Sequence, residues 1–373
     1  MSFAGFKRRR NRKKTNKSSA STHSVMSSVS SSLSSPPPSK HSRSEDLAVQ
    51  QSVVRHSTFA AMFPALLTLL NCFNVMEAIL GFVDFRDMLA FGQSNKAFQE
   101  ISRRFFRTRV DRQISTFLSS APLNSSEFSI ALQRFWDLMD RSHSAVHGSL
   151  LLYLERCEEA VKPWIPANLN IAIPCGALFP WIRYLHSLSA GDMGFRELEV
   201  DACLQVHIAS RYRFELVPGR HIILTQTQGP SIAEAIVLSP HTANIQFLTK
   251  DFLVMYYPRK AFDGSAIDSW YYPPIQASQD LERRGIRKSI DNSSWLTGCG
   301  AACPILWRHF SRDRDSLVLR VGSDSAVLDP VIMSSKMKWR LGDTCYNSEC
   351  KNYATHYYPF MPRIRRRAAF HIM

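Results

Sequence analysis

The sequence predicts an α+β protein, with a small helical module near the start, a mixed-sheet domain after it and a basic tail in front. Three observations carry this. Hydrophobic residues make up 45% of 373 residues, enough to build a core and to exclude wholesale disorder. Apolar residues recur at helical spacing near the start, and short alternating strands interleave with helical segments from about residue 145. The basic charge is concentrated at the two ends. No Gly-X-Y period, heptad run or short repeat occurs, which excludes collagen, long coiled coils and solenoids.

The formal net charge of +15 is misleading if spread over the whole chain. Residues 1–58 hold eleven Lys/Arg against Glu45 and Asp46, and Arg363, Arg365, Arg366 and Arg367 lie in the last eleven residues. The 304 residues between carry only two net charges. The run Lys7-Arg8-Arg9-Arg10-Asn11-Arg12-Lys13-Lys14 reads as solvated chain, as a signal for an importin, or as a patch for nucleic acid or acidic lipid. Residues 18–44 are rich in Ser, contain Pro36-Pro37-Pro38 and lack the apolar surface that offsets ordering entropy, so 1–58 reads as a disordered tail and 363–373 as a second basic tail. No apolar stretch follows the first charges, so the opening does not read as a secretory signal, and the expected location is nucleus or cytoplasm. Residues 59–83 are apolar, but Pro64, Asn71, Asn74 and Glu77 interrupt them and argue against a membrane span.

Residues 59–120 form the helical module. Val75, Ile79 and Phe82 or Val83 recur at helical spacing, Asp84 to Asp87 supplies a break and a new N-cap, and Met88-Leu89-Phe91 opens a second helix. Ser94-Asn95-Lys96-Ala97-Phe98 opens a third. The segment resembles an F-box in its Ile79-Leu80-x-Phe82-Val83 and Asp87-Met88-Leu89 steps, although the usual Leu-Pro start is absent. That resemblance implies docking of Val75, Ile79, Leu80, Phe82, Met88 and Leu89 onto a Skp1-like adaptor protein. Packing of these helices onto the following domain is the alternative.

Residues 121–265 read as an α/β domain. Ala145-Val146-His147 enters a Gly148-Ser149 turn, a helix follows over 150–159, a strand alternates through Leu169, Ile171 and Ile173, and residues 178–188 form an amphipathic helix. The arrangement resembles the nucleotidyltransferase fold, and more narrowly a group of fungal proteins that join an F-box-like start to such a core. The shared steps are Gly148-Ser149, Trp164-x-Pro166, Leu169-Asn170-Ile171, His241-Thr242-Ala243-Asn244, Tyr257-Pro258, Arg284-Gly285 and Cys299 to Pro304. The fold implies a triphosphate at the Gly-Ser helix start and an Asp-x-Asp holding Mg²⁺. Here Asn168 and Asn170 stand where those acids belong, and an amide brings no charge to the metal. The strand His221 to Thr227 has no acid either; Glu199 and Asp201 precede it as candidate substitutes, on what reads as a different strand. Gly148, Ser149, Asn168 and Asn170 are therefore expected to form a degenerate ligand pocket, and no catalytic residue is assigned.

Residues 266–362 read as a C-terminal α+β extension, with a charged helical face over 279–291 and a strand at Val318 to Val321. Cys72, Cys157, Cys175 and Cys203 stand alone among apolar residues and read as core packing. Cys299, Cys303, Cys345 and Cys350 form two pairs, with intervals of three and four residues looser than the usual zinc knuckle; they allow a structural zinc ion without requiring one. No other cofactor is implied. The functional expectation is a non-enzymatic interaction or adaptor protein. The alternatives are a divergent Mg²⁺-dependent nucleotidyltransferase and a nucleic-acid-associated protein acting through its tails.

Overall fold

The computed structural model describes residues 73–81, 83–118, 126–155, 164–188, 194–198, 207–268, 275–289, 291–311, 313, 315–323, 325–342, 344–354 and 369–371. The expectations for the tail 1–58, the apolar residues 59–72, Phe82, Cys72, Cys157, Cys203, Glu199, Asp201 and Arg363 to Arg367 lie outside the described residues. Among the described residues no helix is long and apolar enough to cross a membrane.

Three helices open the described chain: α1 (Phe73–Gly81), α2 (Phe85–Ser94) and α3 (Lys96–Leu118). Their breaks are capped as the residue types suggest. The Asp87 N–H donates to Asp84 Oδ1 at 2.7 Å, and the Phe98 N–H donates to Asn95 Oδ1 at 2.9 Å. Helix α3 runs 23 residues, because Phe106, Val110, Ile114 and Phe117 continue one apolar stripe at three- and four-residue steps. Helix α4 (Ser126–Arg141) follows.

Next come β1 (Ala145–His147), α5 (Ser149–Glu155), β2 (Asn168–Ile173), α6 (Leu178–Leu188), β3 (Gly194–Leu198), β4 (Ile208–Val217) and β5 (Arg220–Thr227). The chain continues through α7 (Ala233–Val237), β6 (Gln246–Leu248), β7 (Phe252–Met255), α8 (Pro258–Phe262), β8 (Ser265–Ile267), α9 (Ile275–Arg283) and β9 (Arg287–Ser289). It closes with β10 (Arg308–His309), β11 (Leu317–Arg320), α10 (Pro330–Met333), β12 (Lys338–Arg340) and β13 (Ala369–His371).

Eight strands form the main sheet in the order β11-β7-β6-β1-β2-β5-β4-β3. All neighbours are antiparallel except β2 and β5, which run parallel with Asn170 opposite Ile223. The mixed α+β class is therefore as expected, but two expected boundaries dissolve. Leu80, Phe85 and Met88 share one core with Val146, Leu169, Ile171 and Leu253, so α1 to α3 do not form a separate module. Strand β11 pairs with β7 in the main sheet, so residues beyond 265 are not a detached extension.

That first core lies between one sheet face and the helices, where Phe135, Trp136 and Trp181 are fully enclosed. The opposite face is half covered. Ala145, Ala172, Phe247 and Val254 pack beneath α7, Tyr256, Phe310 and Trp339, with Phe247 stacked on Phe310 at 5.5 Å. The end of β11 is held by Asp251, whose carbonyl accepts from the Val321 N–H at 2.7 Å and the Gly322 N–H at 3.1 Å. A Cβ at Gly322 would overlap the Asp251 carboxylate, so only glycine fits there.

Candidate metal centre and the sheet face beside Gly148

The two Cys pairs converge. Cys299, Cys303, Cys345 and Cys350 are all buried, and their Sγ atoms lie within 4.8 Å of one another. Cys299 and Cys345 hold their sulfurs 3.8 Å apart, and so do Cys303 and Cys350. Disulfide sulfurs would sit at about 2.0 Å. Four thiolates bonded to one tetrahedral zinc at about 2.3 Å place their sulfurs about 3.8 Å apart. The residues present therefore fit a four-sulfur site.

Local structure explains the convergence. The first pair flanks a 3-10 turn, Gly300–Ala302, in which Gly300 takes φ +54°. The second pair closes through the Cys350 N–H to the Asn347 carbonyl at 3.0 Å. Two fully buried amides, Asn292 and Asn347, tie the loops together. Asn292 Nδ2 lies 3.0 Å from both Cys299 Sγ and Cys345 Sγ, and its Oδ1 accepts from the Tyr346 N–H at 2.9 Å. Asn347 Nδ2 donates to the Thr297 carbonyl at 2.7 Å and points at Cys299 Sγ at 3.4 Å. Such outer donors orient metal ligands and favour the ionised sulfur. Cysteine spacing shows the sulfurs but gives no sign of these two asparagines.

Burial pushes the Cys299 thiol up to about 11 and the Cys303 thiol higher still. Burial also works against ionisation of Cys350, but backbone N–H groups and the neighbouring thiols outweigh it and hold that group at about 7. Cys350 is thus ready to ionise near neutrality, and Cys299 and Cys303 need a cation to follow. Cys175, expected in the core, is instead exposed, because it sits in the turn after β2 where the chain leaves the sheet.

The second candidate is the sheet face beside the Gly148 corner. Gly148 takes φ +81°, and a Cβ there would lie 3.0 Å from Asn170 Nδ2. The glycine is needed for the turn and for this close approach. Register places His147 beside Asn170, Asn170 beside Ile223, and Ile223 beside Arg213; Ala172, Thr225 and Arg211 form the next row. Cross-strand partners share a face, so His147, Asn168, Asn170, Arg211 and Arg213 all project opposite the helical core. Helix α5 is only seven residues long, with Ser149 as its first, and offers a weak dipole to an anion.

The charge on this face is positive. The His147 ring nitrogens and Arg211 Nε are enclosed without a hydrogen-bond partner among the described residues. Burial, reinforced by the Arg211 charge, pushes His147 down to about 4, and burial also lowers Arg211. Among the described residues, the thiol cluster is the sole group of three or more His, Cys, Asp or Glu side chains whose ligand atoms converge.

Five of the six residues expected on a partner-binding face are described, and they separate. Val75 and Ile79 are exposed at 38% and 45%, and Leu89 is half-buried. Leu80 and Met88 are buried in the shared core, which removes them from any docking surface. The other shared steps hold the fold together. His241 Nδ1 lies 3.1 Å from Asp268 Oδ1 and Lys288 Nζ 3.2 Å from Asp268 Oδ2, while the Ile267 N–H donates to Thr242 Oγ1 at 2.9 Å. Tyr257 lies under the Arg308 guanidinium at 4.1 Å, Arg284 covers Trp164 at 4.4 Å, and Gly285 takes φ +68° after α9.

Comparison with known proteins found no matching family model, no matching curated protein and no matching solved structure.

Proposed function

We propose that this chain is a non-enzymatic recognition protein: F-box-like helices fused to a nucleotidyltransferase-like domain that lacks its metal-binding acids, with a structural zinc ion at Cys299, Cys303, Cys345 and Cys350. The observation that carries the reading is the chemistry of the Gly148 corner. Asn168 and Asn170 stand with His147, Arg211 and Arg213 on one sheet face. Phosphoryl transfer draws most of its acceleration from metal ions that neutralise developing charge. Two guanidinium groups repel such an ion, and amides do not compensate.

The thiol cluster is the reverse case. Its four sulfurs fill a tetrahedral shell and leave no open position for a substrate, as in structural rather than catalytic zinc sites. Zinc bound there would cross-link the 292–306 and 344–354 segments.

The test has three arms. Purified full-length chain incubated with labelled nucleoside triphosphates and Mg²⁺ or Mn²⁺ is expected to give no transfer. Turnover abolished by Asp201→Asn would overturn the non-enzymatic reading. Elemental analysis is expected to find about one zinc per chain. For the adaptor half, capture of a purified Skp1-type protein is expected to fail for Val75→Asp/Ile79→Asp, whose exposed positions leave the fold intact. No capture by the unaltered chain would remove that half alone.

A further inference from the structure

On the helical side of the sheet, away from the Asn168 and Asn170 face, α4 and α6 enclose a cleft of about 760 Å³. Its walls are fixed by buried hydrogen bonds. Trp181 Nε1 donates to Ser142 Oγ and Ser144 Oγ, both at 3.1 Å, and the Tyr184 hydroxyl donates to the Ala131 carbonyl at 2.9 Å. Leu138 and Ala177 give the cleft an apolar floor. Arg134 and Arg141 on α4 and Arg183 on α6 line it, and all three are exposed.

No Asp or Glu lines this cleft. Two acids next to lining residues already have partners. Asp137 accepts from Lys250 Nζ at 2.9 Å, and Asp329 pairs with His143 Nδ1 at 2.8 Å. Arg141 Nε donates to the Asp137 backbone carbonyl at 3.1 Å, its charge also acts on the Asp137 carboxylate, and Arg183 stacks on Phe179 at 4.7 Å. Three cations therefore line an apolar floor, and Asp137, which lies between the two on α4, is shared with Lys250.

The spacing specifies what complements them. Arg134, Leu138 and Arg141 stand at i, i+4 and i+7 on one helix stripe, so the two arginines are about 10.5 Å apart along the axis with the leucine between. An extended peptide advances about 3.3 Å per residue and turns every second side chain to the same face, so acids at i and i+4 with an apolar residue at i+2 present one face about 13 Å long, a span that two long arginine side chains reach. We infer that the cleft between α4 and α6 binds an extended acidic peptide of a partner protein, with an apolar side chain on Leu138 and Ala177 and flanking carboxylates on Arg134 and Arg141. Arginine clusters recognise acidic motifs in this way. A nucleic-acid strand would need free aromatic platforms, and the exposed ring here, Phe179, is already stacked by Arg183. This inference stands apart from the thiol and Gly148 sites.

The probe is a fluorescein-labelled peptide with the core Glu-Ser-Leu-Ser-Glu, titrated by anisotropy into the full chain. The basic tails are present in every arm, so their contribution is common to all. Arg134→Glu/Arg141→Glu is expected to weaken binding by about tenfold or more and to gain affinity for the Lys-Ser-Leu-Ser-Lys counterpart. Replacing the peptide leucine by serine is expected to weaken binding as well. Affinity unchanged by the charge reversal, or indifferent to the leucine, overturns the inference. So does displacement of the peptide by a ten-nucleotide oligothymidine whose binding needs the same arginines. Circular dichroism confirms folding of the variant, and Arg183→Gln provides a milder second test expected to reduce affinity.

Discussion

Cys299 and Cys345 hold their sulfurs 3.8 Å apart beneath the amide of Asn292, whereas both His147 ring nitrogens and Arg211 Nε are buried with no hydrogen-bond partner among the described residues. Both regions enclose polar atoms, and both lie where sequence reading placed candidate ligands. At the first, soft donors converge and the surrounding N–H groups favour negative charge, so a cation completes it. At the second, amides stand beside two guanidinium groups, so a cation is repelled. Burial alone therefore does not mark a metal site; the sign of the surrounding dipoles decides.

The strongest way to break this contrast is to remove one of the four thiols. Cys345→Ser, at the most buried of the four thiols, is expected to take zinc from about one per chain toward zero and to lower the melting temperature by roughly 10 °C, as loss of a few kcal/mol from a domain of this size implies. Elemental analysis and calorimetry check both. A variant that melts with the unaltered protein, and an unaltered protein free of zinc, would leave the thiols as ordinary core.

The second effect sharpens the other side. His147 is neutral when folded, its pKa pushed from 6.5 to about 4. The unfolded chain therefore binds the extra proton between these values, and stability falls as the pH drops from about 6.5 toward 4. The loss is up to about 3 kcal/mol, and above pH 6.5 the contribution is fully present. Urea melts of the unaltered chain and His147→Gln at pH 7.5, 5.5 and 4.5 should diverge in this direction. Parallel curves would mean that the ring is not enclosed as described.

The smallest effect concerns the turn. Gly148→Ala places a Cβ at φ +81° and 3.0 Å from Asn170 Nδ2, an expected loss of roughly 1–2 kcal/mol. Adding Asn170→Ala should recover the steric share and leave the backbone share. Full additivity of the two changes in a double-mutant cycle would separate Gly148 from Asn170.

Local elements were largely legible in the sequence. The caps at Asp84 and Asn95, the strand through Leu169, Ile171 and Ile173, and the helix at 178–188 follow from residue type and period. The thiol pairs were visible by spacing, but the gap of 41 residues between them gave no sign that Asn292 and Asn347 would join them. The partition of Val75, Ile79, Leu80 and Met88 into exposed and buried was not legible, because one apolar stripe reads alike whether it faces a partner or its own sheet. Arg211 and Arg213 went unnoticed for a related reason: only register reveals which residues stand beside Asn170. The cleft between α4 and α6 is likewise set by two helices distant in sequence.

Strand β11 joins the sheet through β7, whose four residues are all buried. During synthesis, β7 leaves the ribosome well before Leu317 to Arg320 do, and until then its outer hydrogen-bonding edge has no mate. A nascent or truncated chain ending near residue 300 would thus display a short, greasy, unpaired edge, the kind that recruits other chains. Expression of fragments that stop short of Gly322 should accordingly yield inclusion bodies, and the shortest soluble version of this domain is expected to retain that glycine.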